Sequence, residues 1–114
     1  MPVRERYCVL TEGPLDAARF PGHGLAVLGK YLSEIQALLV AAEFQRAILA
    51  FDGDKAGREA CTAAEILLWS RGVQTRRLFQ PHEGQDDNGN GPKLDPGGIT
   101  YDAAKSRIYQ LLNH

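Results

Sequence analysis

Short apolar runs bounded by glycine alternate with amphipathic stretches along most of the chain. The run "YCVLTEG" (7–13) is apolar up to its glycine and reads as a buried strand. Behind it, "PLDAARF" (14–20) has Pro14 where a first helical turn tolerates one and "PG" at 21–22 to end a short helix. "GLAVLG" (24–29) is a second apolar run, of the kind found in strands covered on both faces. Ser33 with Gln36 three residues on then forms a capping box, and Ile35, Leu38, Leu39 and Ala42 at i, i+3, i+4, i+7 predict that a helix buries that stripe. "AILAF" (47–51) is a third strand. Ala60, Ala64, Leu67 and Leu68 mark a third helix over about 56–70, with Gly72 placed to close it. "VQTRRLF" (73–79) is a fourth strand of mixed, edge-like character.

Residues 81–98, "PHEGQDDNGNGPKLDPGG", hold eight Pro or Gly in eighteen positions, so a long loop is expected there. A last helix over 100–113 has Thr100 as N-cap and Ala104, Ile108, Leu111 and Leu112 as its apolar stripe. Strands alternating with helices on short connections imply right-handed crossovers and an α/β fold, a mostly parallel four-stranded sheet flanked by helices. Ligands of such sheets bind beyond the carboxyl ends of the strands.

Length and composition narrow this picture. The 114 residues suit one domain over 1–114, with its core at about 6–90. An apolar fraction of 44% with 24% charged residues is that of a foldable globular chain. The net charge of −1 gives no overall basic surplus, so a polyanion site must be local or work through a metal. No apolar run approaches the roughly 20 residues that span a bilayer and the N-terminus has no export signal, so the expected location is cytoplasmic, without a membrane partner. Cys8 and Cys61 are isolated and read as small buried hydrophobes, and no zinc ribbon is encoded.

The chemistry concentrates at the predicted strand ends. Glu12 follows "CVLT" and Asp52 with Asp54 follow "AILAF", so parallel neighbours would bring three carboxylates to one rim. Like charges held that close raise one another's pKa or demand a counter-cation, and an oxygen-only donor set suits Mg²⁺ or Mn²⁺. Asp16 lies one turn beyond Glu12, where it is either a member of the cluster or an ordinary first-turn acid. Lys55 and Arg58 begin the helix after "DGD", where they serve a phosphate or only solubility. Arg76, Arg77, His23, His82 and His114 read as surface residues.

Three familiar motifs fail on inspection. "DGDKAG" starts like a calcium loop, but Ala63 stands where the bidentate glutamate belongs. "GLAVLGKY" matches a P-loop formally, yet Tyr31 replaces its Ser/Thr. A phospho-acceptor receiver expects its acidic pair after the first strand, and here the pair follows the third.

"VLTEGPLDAARF" resembles the first motif of Toprim domains and "FDGDKAGREA" the second, and the likeness is strongest to DnaG-type primases and primase-helicases. Topoisomerases of the same superfamily read more like D-x-D-x-E-G, and here Ala56 stands at that glutamate. "GLAVLG" with the capped helix is similar to the family's middle, and "PHEGQDDN" resembles its P-x-G-x-D-P-D element. That alignment puts Asp86 on the first acid and Asn88 on the second, so one ligand becomes a neutral amide. Lys30 stands where a small hydroxyl residue is usual and adds a cation able to reach a phosphate.

The resemblance implies a compact Rossmann-like Toprim fold and Mg²⁺ (or Mn²⁺)-dependent nucleotidyl transfer on a nucleic-acid template. Glu12 would be general acid/base or metal ligand. Asp52 and Asp54 would hold the metal, Asp16 and Asp86 would support it, and Lys55, Arg58 and Lys30 would bind phosphate. The implied partners are a single-stranded DNA template, an RNA primer, NTPs, and a helicase or further primase domains. A metal-dependent nucleic-acid-binding module without activity of its own, or a small Toprim nuclease, uses the same residues, and the sequence does not separate transfer from hydrolysis.

Overall fold

The computed structural model describes residues 6–27 and 29–113. Strands β1 (Tyr7–Thr11), β2 (Gly24–Ala26), β3 (Arg46–Leu49) and β4 (Gln74–Arg77) alternate with helices α1 (Pro14–Ala17), α2 (Glu34–Glu43) and α3 (Lys55–Trp69). A short 3-10 turn, Pro96–Gly98, then leads into α4 (Tyr101–Leu112). The sheet runs β2-β1-β3-β4, and every pairing is parallel. Val9 of β1 pairs with Gly24 of β2 and with Ile48 of β3, so β1 and β3 are central neighbours and end at the same rim.

The two-residue period of the central strands sorts their side chains onto two cores. Cys8, Leu10, Ala47, Leu49 and Phe51 face one side, where Ala37 and Val40 of α2 and Ala60, Cys61, Ala64 and Leu68 of α3 cover them. Val9, Ile48 and Ala50 face the other, against Phe20, Leu78, Phe79 and, from α4, Ala104 and Ile108. Ala47 is fully buried under the alanines of α3, and these small side chains let that helix lie close to the sheet. Both cysteines are buried and unpaired, and burial pushes each thiol up to about 12.

The capping box of α2 is present on both sides, Ser33 accepting from the Gln36 amide and Gln36 from the Ser33 amide. The expected apolar stripe of that helix is not the buried one. Ile35, Leu38 and Leu39 are 72%, 52% and 64% exposed, whereas Ala37 and Val40 meet the sheet. The cap fixes where the helix starts, and the small side chains suit the tight layer next to α3, so the larger residues turn outward. On α4 the expected face is the buried one, with Thr100 accepting from the Ala103 amide at 3.2 Å and Ala104 and Ile108 inside. Gly72 sits at φ +81°, two residues beyond the C-cap Ser70, where it turns the chain into β4.

Two residues expected at the surface are partly enclosed. Arg77 donates from Nε and Nη2 to Glu65 at 3.1 and 2.6 Å, and their side chains are only 16% and 14% exposed. His23 stacks on Tyr7 with centroids 4.0 Å apart. His114 lies outside the described residues. No helix among the described residues is long and apolar enough to cross a membrane.

Candidate active site

β1 and β3 deliver their carboxylates to the same rim because they are paired in parallel and end in register. Glu12 is the first residue beyond β1, and its Oε1 accepts from the backbone N–H of Asp52 at 3.0 Å. This bond joins the two motifs across forty positions of sequence. Asp54 is the N-cap of α3, accepting from the Gly57 amide at 2.7 Å, so a carboxylate stands at the positive end of that helix dipole. Gly57 permits this turn, since a Cβ there would lie 1.8 Å from the Asp52 carbonyl oxygen.

Asp52 is the electrostatic centre of the rim. Burial pushes its carboxyl up to about 6, helped by the charges of Glu12, Asp54, Asp95 and Asp16, in that order. Asp16, in α1, is thus near enough to act on Asp52. It shares a neighbour with Asp95, because a methyl on Gly97 would lie 3.1 Å from Asp95 Oδ1 and 3.8 Å from Asp16 Oδ1.

The other candidates are placed differently. Asp86 is exposed, and its Oδ1 accepts from the amides of Asn88 and Asn90, both at 2.9 Å, which binds it into its own turn. It is not among the groups that raise Asp52. Arg58 donates to the Gln85 carbonyl and to Asp87 Oδ1, the latter at 2.5 Å, and so ties the long loop to α3. Lys55 is exposed at the first turn of α3, and the Lys30 ammonium lies over its neighbour Tyr31, 5.2 Å from the ring centroid.

The loop brings two residues to the rim that sequence reasoning missed. Its return limb lies on the "DGD" turn, where the Gly53 amide donates to the Leu94 carbonyl at 2.6 Å and the Gln85 amide to the Gly53 carbonyl at 2.7 Å. Gly84 must be glycine for this contact, since a Cβ there would meet the Gly53 oxygen at 2.0 Å. Lys93 and Asp95 thereby join Asp52 and Asp54 around a cleft of about 220 Å³. The only signal in the sequence was Leu94, a lone apolar residue in a polar loop, which is partly buried against the core and anchors the limb.

The donor set is all oxygen and strongly negative, which fits a hard divalent cation. Among the described residues no three acidic, His or Cys side chains converge as a ready-made metal site. Mg²⁺ commonly takes only one or two carboxylates and completes its shell with water and substrate phosphates.

An all-parallel sheet, helices on both faces and acids gathered beyond its strand ends define an α/β protein with an acidic rim at the edge where such sheets place their ligands. Residues 9–90 match the family described as Toprim-like, and the chain belongs to that family. Toprim-like domains in general depend on a divalent metal. The DNA primase of Aquifex aeolicus (strain VF5) is 36% identical over 113 residues, covering 96% of this chain and 21% of the relative. The crystal structure of the Aquifex aeolicus primase, with zinc binding and RNA polymerase domains, superposes with a TM-score of 0.69 at 29% identity, over 94% of this chain and 25% of that one. The primase fragment of the bacteriophage T7 primase-helicase shares the fold, with a TM-score of 0.62 at 20% identity over 94% of this chain and 44% of that one. This chain thus spans about a fifth of the primase it resembles in sequence, and the likeness to primases read from the two motifs is borne out.

Proposed function

We propose that this chain is a primase-type catalytic domain for Mg²⁺- or Mn²⁺-dependent nucleotidyl transfer on a nucleic-acid template. The observation that carries the reading is the junction of the two motifs, with Glu12 held by the Asp52 amide at 3.0 Å beside an Asp52 whose carboxyl is raised to about 6 by burial and by the acids around it. Carboxylates that raise one another are what a divalent cation relieves. Asp52 and Asp54 would hold it, with Asp16 in support. Asp86, turned into its own loop, would join them only after a change in that turn. When bound, the metal supplies charge neutralisation at the phosphate oxygens.

The chain's own residues supply the rest. A primer 3′-hydroxyl oxygen bonds to the α-phosphorus of an incoming NTP, the bond to pyrophosphate breaks, and the hydroxyl proton passes to the Glu12 carboxylate. The Asp52 amide keeps Glu12 at the rim, and Lys55 stands where the N-terminus of α3 favours phosphate. Single-stranded template, RNA primer and NTPs are the partners this chemistry requires, with helicase or further primase domains around it. Two alternatives use the same rim: a nucleic-acid-binding module without turnover, and a nuclease with water as nucleophile. The module is favoured by the near-neutral net charge of −1 and by Asn88, a neutral amide where the family's element carries its second acid.

Calorimetric titration with Mg²⁺ and Mn²⁺ tests the reading. Binding should occur in the wild type and be lost in Asp52→Asn/Asp54→Asn, and unchanged binding in that variant would refute the metal assignment. Asn retains the cap of α3, so the variant should fold. Incubation with labelled single-stranded DNA, NTPs and Mn²⁺ then separates the classes: extended products mean transfer, shortened ones hydrolysis, and neither means a module.

A further inference from the structure

We propose that Lys93, carried to the rim by the return limb of the long loop, is a phosphate-binding residue whose ligand is the polyphosphate of an incoming nucleotide. The proposal rests on the phosphoryl-transfer reading of the rim and adds to it a residue beyond the stretch matched by the Toprim-like family, which ends at residue 90.

Backbone geometry fixes where Lys93 stands. The limb is pinned next door, by the Leu94 carbonyl accepting from Gly53 at 2.6 Å and by the Leu94 side chain against the core. On the far side of the turn Gln85 is bonded to the Gly53 carbonyl and accepts from Arg58. The "DGD" turn therefore lies between two limbs of one loop. Lys93 is exposed, and it lines the 220 Å³ cleft with Asp52, Asp54 and Asp95.

Charge supports the same reading. Lys93 shares that cleft with three aspartates, yet no ion pair joins it to any of them or to another described residue. Arg58, the nearest arginine in the sequence to the "DGD" turn, is committed to Gln85 and Asp87, and Lys30 lies over Tyr31. A polyphosphate entering an acidic rim needs fixed cations beside any metal, since both ligand and wall are negative. Lys93 is the cation of the loop that meets this need, and its flexible stem reaches a phosphate as a point charge.

The test is calorimetric titration of the 114-residue chain with inorganic triphosphate, with and without Mg²⁺, for wild type, Lys93→Gln and Lys93→Arg. Loss of a charge-assisted contact should weaken triphosphate binding about tenfold in Lys93→Gln. Lys93→Arg should restore most of it, and the salt dependence should be shallower in Lys93→Gln. Amide exchange at Gly53 and Gln85 should be the same in all three proteins, which separates a lost contact from a displaced loop. Equal triphosphate affinity in wild type and Lys93→Gln, or no triphosphate binding in the wild type, overturns the proposal. Mg²⁺ titration alone addresses the metal assignment separately. A wild type that binds triphosphate through Lys93 but takes up no Mg²⁺ would uphold this contact and overturn that assignment.

Discussion

The two ends of the long loop treat charge in opposite ways. Where the loop leaves β4, acids are matched: Glu83 meets Arg107 at 2.8 Å, and beside β4 Glu65 meets Arg77 at 2.6 Å. The Arg107 hydrogen bond holds Glu83 below the usual carboxylate range, and the hydrogen bond to Glu65 raises Arg77, both in the stabilising direction. Where the loop returns, Asp95 joins Asp52, Asp54, Asp16 and Glu12, none of which forms an ion pair with a described residue, and Asp52 is pushed up to about 6. One end converts charge into stability. At the other, unmatched acids are held together at a cost in stability, which is the field the proposed cation and phosphate would enter.

The contrast can be broken most severely at Gly57. Gly57→Ala forces a methyl to within 1.8 Å of the Asp52 carbonyl oxygen, so the turn and the helix start must separate. The expected cost is about 3 kcal/mol, read as a shift in the denaturation midpoint, together with loss of divalent binding. Next comes the matched end, where Glu65→Ala leaves the enclosed Arg77 without its acid. Chemical denaturation should report a loss of about 2 kcal/mol with divalent affinity unchanged. Smaller still is Arg58→Met, expected to cost about 1 kcal/mol and to speed amide exchange at Gln85 and Gly53, because it releases the loop from α3.

The last prediction concerns pH and has the opposite sign to ordinary acid behaviour. A carboxyl whose folded pKa is raised holds its proton more tightly in the native state than in the unfolded one. The metal-free protein should therefore lose stability as pH rises from about 4, the usual carboxylate value, to about 6, and change little above that on this group's account. Asp52→Asn should melt slightly above the metal-free wild type at pH 7–8, and the difference should shrink below pH 4. A variant that melts lower at pH 7 would show that Asp52 is not strained by its neighbours.

How much of this was legible depends on the range of the forces involved. The strand positions, the α4 stripe and the convergence of Glu12 with Asp52 follow from periodicity and parallel topology, both local or nearly so. β2, however, is an edge strand with Leu25 39% exposed, and not the strand covered on both faces that its apolar run suggested. The α2 face did not follow from periodicity either, because Ile35, Leu38 and Leu39 have helical spacing but Ala37 and Val40 have the size that fits beneath α3. Arg77 was misjudged for a related reason, since its partner Glu65 lies on a helix whose rotation the sequence leaves open. Lys93 and Asp95 escaped notice because their position depends on two backbone hydrogen bonds to Gly53, of which the side-chain pattern carries only the lone apolar Leu94.

Those two bonds also make the loop a convenient place for a reporter. Gln85 and Leu94 are tied to Gly53, and between them the chain makes a detour held to α3 through Asp87 and Arg58, with the Asp86 amide donating to the Asn90 carbonyl at 2.8 Å and the Asp86 carboxylate accepting from Asn88 and Asn90. Exposed turns of this kind tolerate insertion. A fluorophore attached at Asn88 would sit a few residues from the rim while touching neither of its anchors, and a change in its emission on adding Mg²⁺ or triphosphate would report the proposed binding directly in solution.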